Sequence, residues 1–315
     1  MRTWLARLSA LTLASAGLVA CHFIANLELA PPREDAGVDG ATEGDGASAD
    51  ASAPLFCATL ATNDERGNLV FCNDFDRAAL GNKLGFEGLQ TPASGGTITV
   101  DDAAAASPPS SMVVRIVPDP GKPLALATQT FAAPLDKLSL DVDVSVSTPD
   151  ASTESAVTLF GVLFGGDHVV VVGIHNGQTT ISYLDNLKDI NVSETAAHGY
   201  QFGGVLAPGV PFSPISLRFR RGKPPCGDSI TRYIGPDAAV VDPDAGDAGD
   251  DAATPLSNDA VHVAVYVSQI PVRCAVLPVD VPVGTTSQLL IGGFVAHPKE
   301  RYEWRFDNVA ARTLP

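Results

Sequence analysis

Three groups of residues have the types and spacing for chemistry. In "KLSLDVDVSVS" Asp141 and Asp143 fall two apart, so on a strand both carboxylates leave by the same face. Two carboxylates facing one cleft can split a glycosidic bond, one as acid and the other as nucleophile or base. No third carboxylate continues the alternation and the nine glutamates are scattered, so the pair reads as the solvated side of a strand and no catalytic residue is assigned. The second group is His168, His175, His262 and Tyr266, proton-transfer groups that a lyase-like site would have to gather from different strands. The third is the acidic run "DPDAGDAGDD", in which Asp and Gly alternate as in calcium loops but without the closing Glu or the regular spacing. Sugar rings are held by aromatic faces with polar groups beside them. Candidates for that role are Tyr183, Tyr200 and Tyr266 with Arg218 and Arg220, in a chain that is only 6% aromatic.

The N-terminus says where such chemistry takes place. Arg2 and Arg7 precede the apolar run "LSALTLASAGLVA", the layout of a secretory signal too short to span a bilayer. Its end, "LVAC", resembles the lipobox of bacterial lipoproteins, which implies cleavage after residue 20 and lipidation of Cys21. Three acyl chains exceed the two signals that stable anchoring needs. Because His22 rather than Asp follows, the lipoprotein sorting rule points to the outer membrane, on its periplasmic or cell-surface face. With Cys21 given to lipid, Cys57, Cys72, Cys226 and Cys274 remain of five cysteines. Four cysteines allow three connectivities, and loop closure favours Cys57 with Cys72 and Cys226 with Cys274. Disulfides suit an exported chain, and the absence of a CxxC spacing gives zinc no support.

Net charge is −16, but most of it sits in two segments. Residues 22–54 hold seven Asp or Glu against Arg33 alone, and residues 236–255 hold six Asp and no basic residue. Both are rich in Ala, Gly, Asp and Pro and nearly devoid of large apolar side chains, so neither buries enough surface to offset the entropy of ordering. The first reads as a disordered tether and the second as a disordered acidic loop. No basic patch is available for nucleic acid.

Elsewhere the period is two. "ISLRFR" places Ile215, Leu217 and Phe219 on one side and Arg218 and Arg220 on the other, and "VHVAVYVSQI" aligns Val261, Val263, Val265 and Val267. "HVVVVGIHNGQTTISYL" carries β-branched runs on both sides of Asn176-Gly177, a dipeptide suited to a two-residue hairpin turn. No amphipathic helix of three turns is found, and 29 Gly and 24 Pro punctuate the chain. These features predict an all-β sandwich over residues 55–315, interrupted by the insertion at 236–255 and preceded by signal 1–20 and tether 21–54.

The stretches "FCNDFDR" (Phe71–Arg77), "SPPSSMVVRI" (Ser107–Ile116) and "WRFDNVAART" (Trp304–Thr313) resemble the concanavalin A-like lectin/glucanase jelly roll, the fold of laminin G-like modules and of some glycoside hydrolases and polysaccharide lyases. The resemblance implies two antiparallel sheets, first and last strands side by side, and a concave face for any glycan. It also implies a structural calcium tying the two ends of the domain, for which Asp74, Asp76 and Asp307 stand in the matching positions. Two of the family's catalytic signatures are missing. The Glu-x-Asp-x-Glu strand of its glucanases does not occur, and of the alginate-lyase set only His175 is present, in "GIHNG".

The expected protein is a lipid-anchored envelope protein whose jelly roll binds a polysaccharide or an envelope glycan or matrix. A carbohydrate-active enzyme is the first alternative, and a structural or protein-interaction module of the envelope the second. The anchor is directly testable: Cys21→Ser should leave an uncleaved or soluble precursor that no longer partitions into the detergent phase, and unchanged partitioning would exclude lipid at Cys21.

Overall fold

The computed structural model describes residues 56–60, 63–64, 67–76, 83–91, 95–117, 124–148, 157–175, 178–184, 200–201, 206, 209–222, 224–226, 231–234, 259–295 and 301–315. The signal, Cys21, the tether and the acidic run lie outside these residues. All described residues belong to one compact unit, Ala53–Pro315.

The described residues form one short α-helix, α1 (Phe56–Thr59), one 3₁₀ turn (Leu135–Lys137) and seventeen strands. The first six are β1 (Asn63–Asp64), β2 (Gly67–Asn73), β3 (Gly88–Gln90), β4 (Gly96–Asp101), β5 (Ser111–Ile116) and β6 (Leu124–Phe131). Then come β7 (Leu138–Thr148), β8 (Val157–Phe164), β9 (His168–His175), β10 (Gln178–Leu184), β11 (Tyr200–Gln201) and β12 (Ser213–Arg221). The last five are β13 (Thr231–Tyr233), β14 (Val261–Val267), β15 (Ile270–Val276), β16 (Ser287–Val295) and β17 (Tyr302–Thr313).

They build a two-sheet jelly-roll sandwich. Sheet A runs β1-β2-β17-β7-β12-β14-β15-β13, with β4 and β5 attached through β17, and sheet B runs β11-β10-β9-β8-β16-β6-β3. Pairing is antiparallel except between β13 and β15. The alternation in β7 sends Leu138, Leu140, Val142, Val144 and Val146 into the core, where they meet Val162, Val170, Val172 and Ile291 of sheet B in one apolar cluster. At roughly 1.5–3 kcal/mol for each large apolar side chain fully buried, this shared layer is what holds the sheets face to face.

Strand β17 is the spine of sheet A. One edge pairs with β7, while the other pairs first with β5, through Tyr302–Phe306, and then with β2, through Val309–Thr313. First and last long strands therefore lie side by side. Between the two partners β17 carries a bulge at Asp307/Ala310, and Asn308 adopts φ 49°, a left-handed conformation that costs an L-residue on the order of 1–2 kcal/mol.

Sheet B has its own irregularity against the same strand. Strand β16 bulges between Ile291 and Phe294, where a Cβ on Gly293 would lie 1.6 Å from Trp304 Cζ2. Glycine is required there because the buried indole fills the space, its Nε1 donating to Gly292 O at 3.1 Å. Covalent ties complete the frame: Cys57–Cys72 joins α1 to β2 and Cys226–Cys274 joins the segment after β12 to β15, with Cα separations of 5.8 Å in both. These are the pairings favoured by loop closure, and they place the domain in an oxidising extracellular or periplasmic compartment. No described helix is long and apolar enough to cross a membrane.

Candidate functional site

Strand parity decides which polar side chains leave the core. In β12, Ile215, Leu217 and Phe219 are buried, so Ser216, Arg218 and Arg220 face outward. In β14 the same parity, continued through a register shift at Val265/Tyr266, turns Tyr266 outward opposite Ser216, while Arg218 lies opposite Ala264. The small Ala264 leaves room for Arg218 to reach its diagonal neighbour, a distance that suits a long side chain and an aromatic ring. The guanidinium carbon stands 4.0 Å from the centre of the Tyr266 ring. Behind that ring lie Ala264 and the Cys226–Cys274 bridge, so the tyrosine is backed by a small apolar cluster and roofed by a cation.

The rest of the guanidinium is partly used. Its Nη2 donates to Gln269 Oε1 at 2.8 Å, and its Nε is buried with no partner. Three other arginines of sheet A are neutralised. Arg115 meets Glu303 at 2.7 Å and Asp101 at 3.4 Å, Arg305 meets Asp101 and Glu303, and Arg221 meets Asp136 at 3.1 Å. Burial works to raise Asp101, but Arg305 and Arg115 hold its carboxyl below the ordinary value. Among the described residues no carboxylate pairs with Arg218 or Arg220. The arrangement is a planar cation fixed on an aromatic ring, with Nη2 engaged by Gln269 and Nε buried, leaving Nη1 as the donor that an anion could meet.

Beside it the carboxylates of β7 and β17 converge around the β17 bulge. Asp143 and Asp307 are direct cross-strand partners. Asn308 Nδ2 donates to Asp143 Oδ2 at 2.7 Å, and Ser216 Oγ donates to Asp141 Oδ1. Burial raises the Asp143 carboxyl, Asn308 partly offsets this, and the charge of Asp141 adds to it. Asp307, with no exposed surface, accepts the backbone N–H groups of Ala106 and Ser107 on Oδ2 and of Asn308 on Oδ1, each at 2.8 Å. Burial pushes Asp307 up to about 7 against those donors, and Asp76 adds like charge.

Several expected residues take other places. Tyr183 shares parity with Ile181 and points inward, 4% exposed, its hydroxyl 2.7 Å from His168 Nδ1 and its ring stacked on the imidazole; it cannot present a face to a sugar. Tyr200 pairs in register with Ile181, and its side chain is outside the described residues. Of the expected calcium set, Asp307 accepts N–H donors on both oxygens. Asp74 takes Cys57 N at 3.0 Å and Asp76 takes Ser110 N at 2.8 Å, leaving one buried oxygen on each without a partner. Among the described residues no three His, Cys, Asp or Glu side chains are grouped to hold a metal. The lyase-like set is also dispersed. His168 and His175 sit at opposite ends of β9, while His262 and Tyr266 are on the other sheet, with His262 buried against Gly222 O at 3.1 Å. Gln269, which orients Arg218, was not among the candidates; its only sequence signal is its place between two strand patterns.

No protein-family model and no curated protein sequence matches the chain significantly. Among solved structures, the endo-β-1,4-glucuronan lyase of the fungus Trichoderma reesei aligns at 10% identity over 78% of this chain and 96% of its own, with a TM-score of 0.48. An alginate lyase from Chlorella virus aligns at 11% over 78% and 100%, TM-score 0.40. The endo-1,3-β-glucanase of Streptomyces sioyaensis aligns at 10% over 81% and 100%, TM-score 0.39.

The elevated Asp307 has a signed consequence. Its folded pKa lies above the ordinary 3.8, so between about pH 4 and 7 the unfolded chain releases this proton first, and the stability from this group is lost as pH rises through the window. The melting-point difference between wild type and Asp307→Asn should therefore shrink by several degrees from pH 4.5 to 7.5, each kcal/mol counting for about 2–4 °C. A difference that grows with pH would show that the N–H donors outweigh burial.

Proposed function

We propose that this domain binds anionic glycans through the outward face of β12 and β14. The observation that carries this reading is Arg218, laid over Tyr266, held by Gln269 and, among the described residues, left without a carboxylate partner beside the exposed Arg220. A guanidinium stacked on an aromatic ring keeps its outer edge for a carboxylate, and the donor that Gln269 leaves over adds direction to charge. Sugar hydroxyls would find the Gln269 amide and the acids of β7 along the same surface. The Cys226–Cys274 bridge serves the site by fixing the floor beneath Tyr266. Lipidation of Cys21 would hold this face outside the membrane on the length of residues 22–54, in keeping with export and with the two disulfides.

A second reading, a carbohydrate-active enzyme, is favoured by one specific observation. Asp143 is raised, lies beside Asp141 and faces Asp307 across the strand pair, next to the strained Asn308, and perturbed carboxyls at a strained backbone are a feature of reacting sites. Release of reducing ends or unsaturated products by the purified domain, lost in Asp143→Asn, would favour it over binding alone.

The binding reading is checked by affinity electrophoresis and calorimetry with polyuronates and with neutral glucans of the same length. Uronate binding should be weakened by salt, and Arg218→Ala should reduce it about 10- to 100-fold, the range for losing charge-assisted hydrogen bonds. Arg218→Lys should be intermediate. Equal affinity of wild type and Arg218→Ala, or retention of neutral glucans alone, would contradict the reading.

A further inference from the structure

Strands β14 and β15 are joined by a two-residue turn, Ser268-Gln269, with φ 49° and 68°. Two positive φ values are what a tight hairpin of this length demands, and Asn-Gly or Gly-Gly meets the demand at least cost. Here neither residue is glycine or asparagine, and both are exposed, so no core contact compels these side chains. Backbone placement does not compel them either. Ser268 N bonds Pro214 O at 3.1 Å, a bond any residue but proline would make. Strain held on an exposed turn points to a side chain kept for another purpose. Only one of the two shows such a purpose: Gln269 accepts Arg218 Nη2 at 2.8 Å, bringing the end of the hairpin down onto the cation that covers Tyr266.

We infer that Gln269 is a positioning residue, retained at a strained turn position to hold the Arg218 guanidinium flat over Tyr266 before ligand arrives. This inference rests on the anionic-glycan reading of the same face. Without the amide, Arg218 keeps its charge but regains rotamer freedom that binding must then remove. The turn therefore exchanges stability for a prepared binding surface, and its two residues divide the roles. Ser268 contributes only strain, whereas Gln269 contributes strain and orientation.

Two single variants separate these roles. Ser268→Gly and Gln269→Gly should each raise the melting temperature, by at least about 2 °C for a domain of this size. Ser268→Gly should bind a polyuronate oligomer as wild type does, while Gln269→Gly should bind about 3- to 10-fold more weakly. A second readout needs no ligand: the Arg218 side-chain protons, shifted upfield in NMR spectra by the Tyr266 ring, should move toward ordinary positions in Gln269→Gly and stay in place in Ser268→Gly. Unchanged Arg218 shifts and affinity in Gln269→Gly would overturn the inference. Loss of the ring-current shift in a protein whose wild type binds no polyuronate would overturn the glycan reading, and the purpose assigned to Gln269 with it, while leaving the positioning contact itself established.

Discussion

The architecture depends on one strand having to satisfy three neighbours. β17 lies against β7 along one edge and must change partner from β5 to β2 along the other, and a regular strand cannot do this without a break in its ladder. The break is the bulge at Asp307 and Asn308. The Asp307 carboxylate takes the backbone N–H groups of Ala106 and Ser107 in the connection between β4 and β5. Asn308 accepts a left-handed φ and uses its side chain to join Ser107 to Asp143. A carboxylate and an amide thus tie the bulge to the β4–β5 connection and to β7.

From that spine the outward face of the sheet follows by parity. Once β7 is placed with its leucines and valines inward, β12 and β14 are registered against it, and Arg218, Ser216 and Tyr266 must emerge together. The two ends of the face differ in electrostatics. Near β4, β5 and the start of β17, Arg115, Arg305, Asp101 and Glu303 neutralise one another. Toward the β14–β15 hairpin Arg218 and Arg220 have no carboxylate partner among the described residues, and Arg218 lies on the Tyr266 ring instead. Partly exposed ion pairs of the first kind add little net stability, so the contrast matters more for what the surface can attract than for how firmly it folds.

Much of this could be read from the chain. Strict alternation in "KLSLDVDVSVS" and "ISLRFR" identified both the strands and the inward set, since a period of two leaves no second choice of face. The disulfide pairing followed from loop closure. Tyr183 was misassigned although the signal was present, for in "TTISYL" it stands two residues from Ile181 and shares its face. The type and position of Asp307 allow a metal ligand or an acceptor of backbone amides, and the bulge that brings N–H groups to it is a tertiary event without a local signature. The contact of Arg218 with Tyr266 joins residues far apart in sequence through register alone. Gln269 was invisible because "VSQI" carries none of the residues that announce a tight turn.

The central claim is that glycan meets the outward face of β12 and β14, and it is tested most directly by titrating the isotopically labelled domain with a uronate oligosaccharide and following backbone and side-chain resonances. The expected result is a contiguous set of perturbations over Ser216, Arg218, Arg220, Tyr266 and Gln269, strongest at the Arg218 side chain. Perturbations centred instead on the outward residues of sheet B, around His175, Gln178 and Thr180, would contradict it.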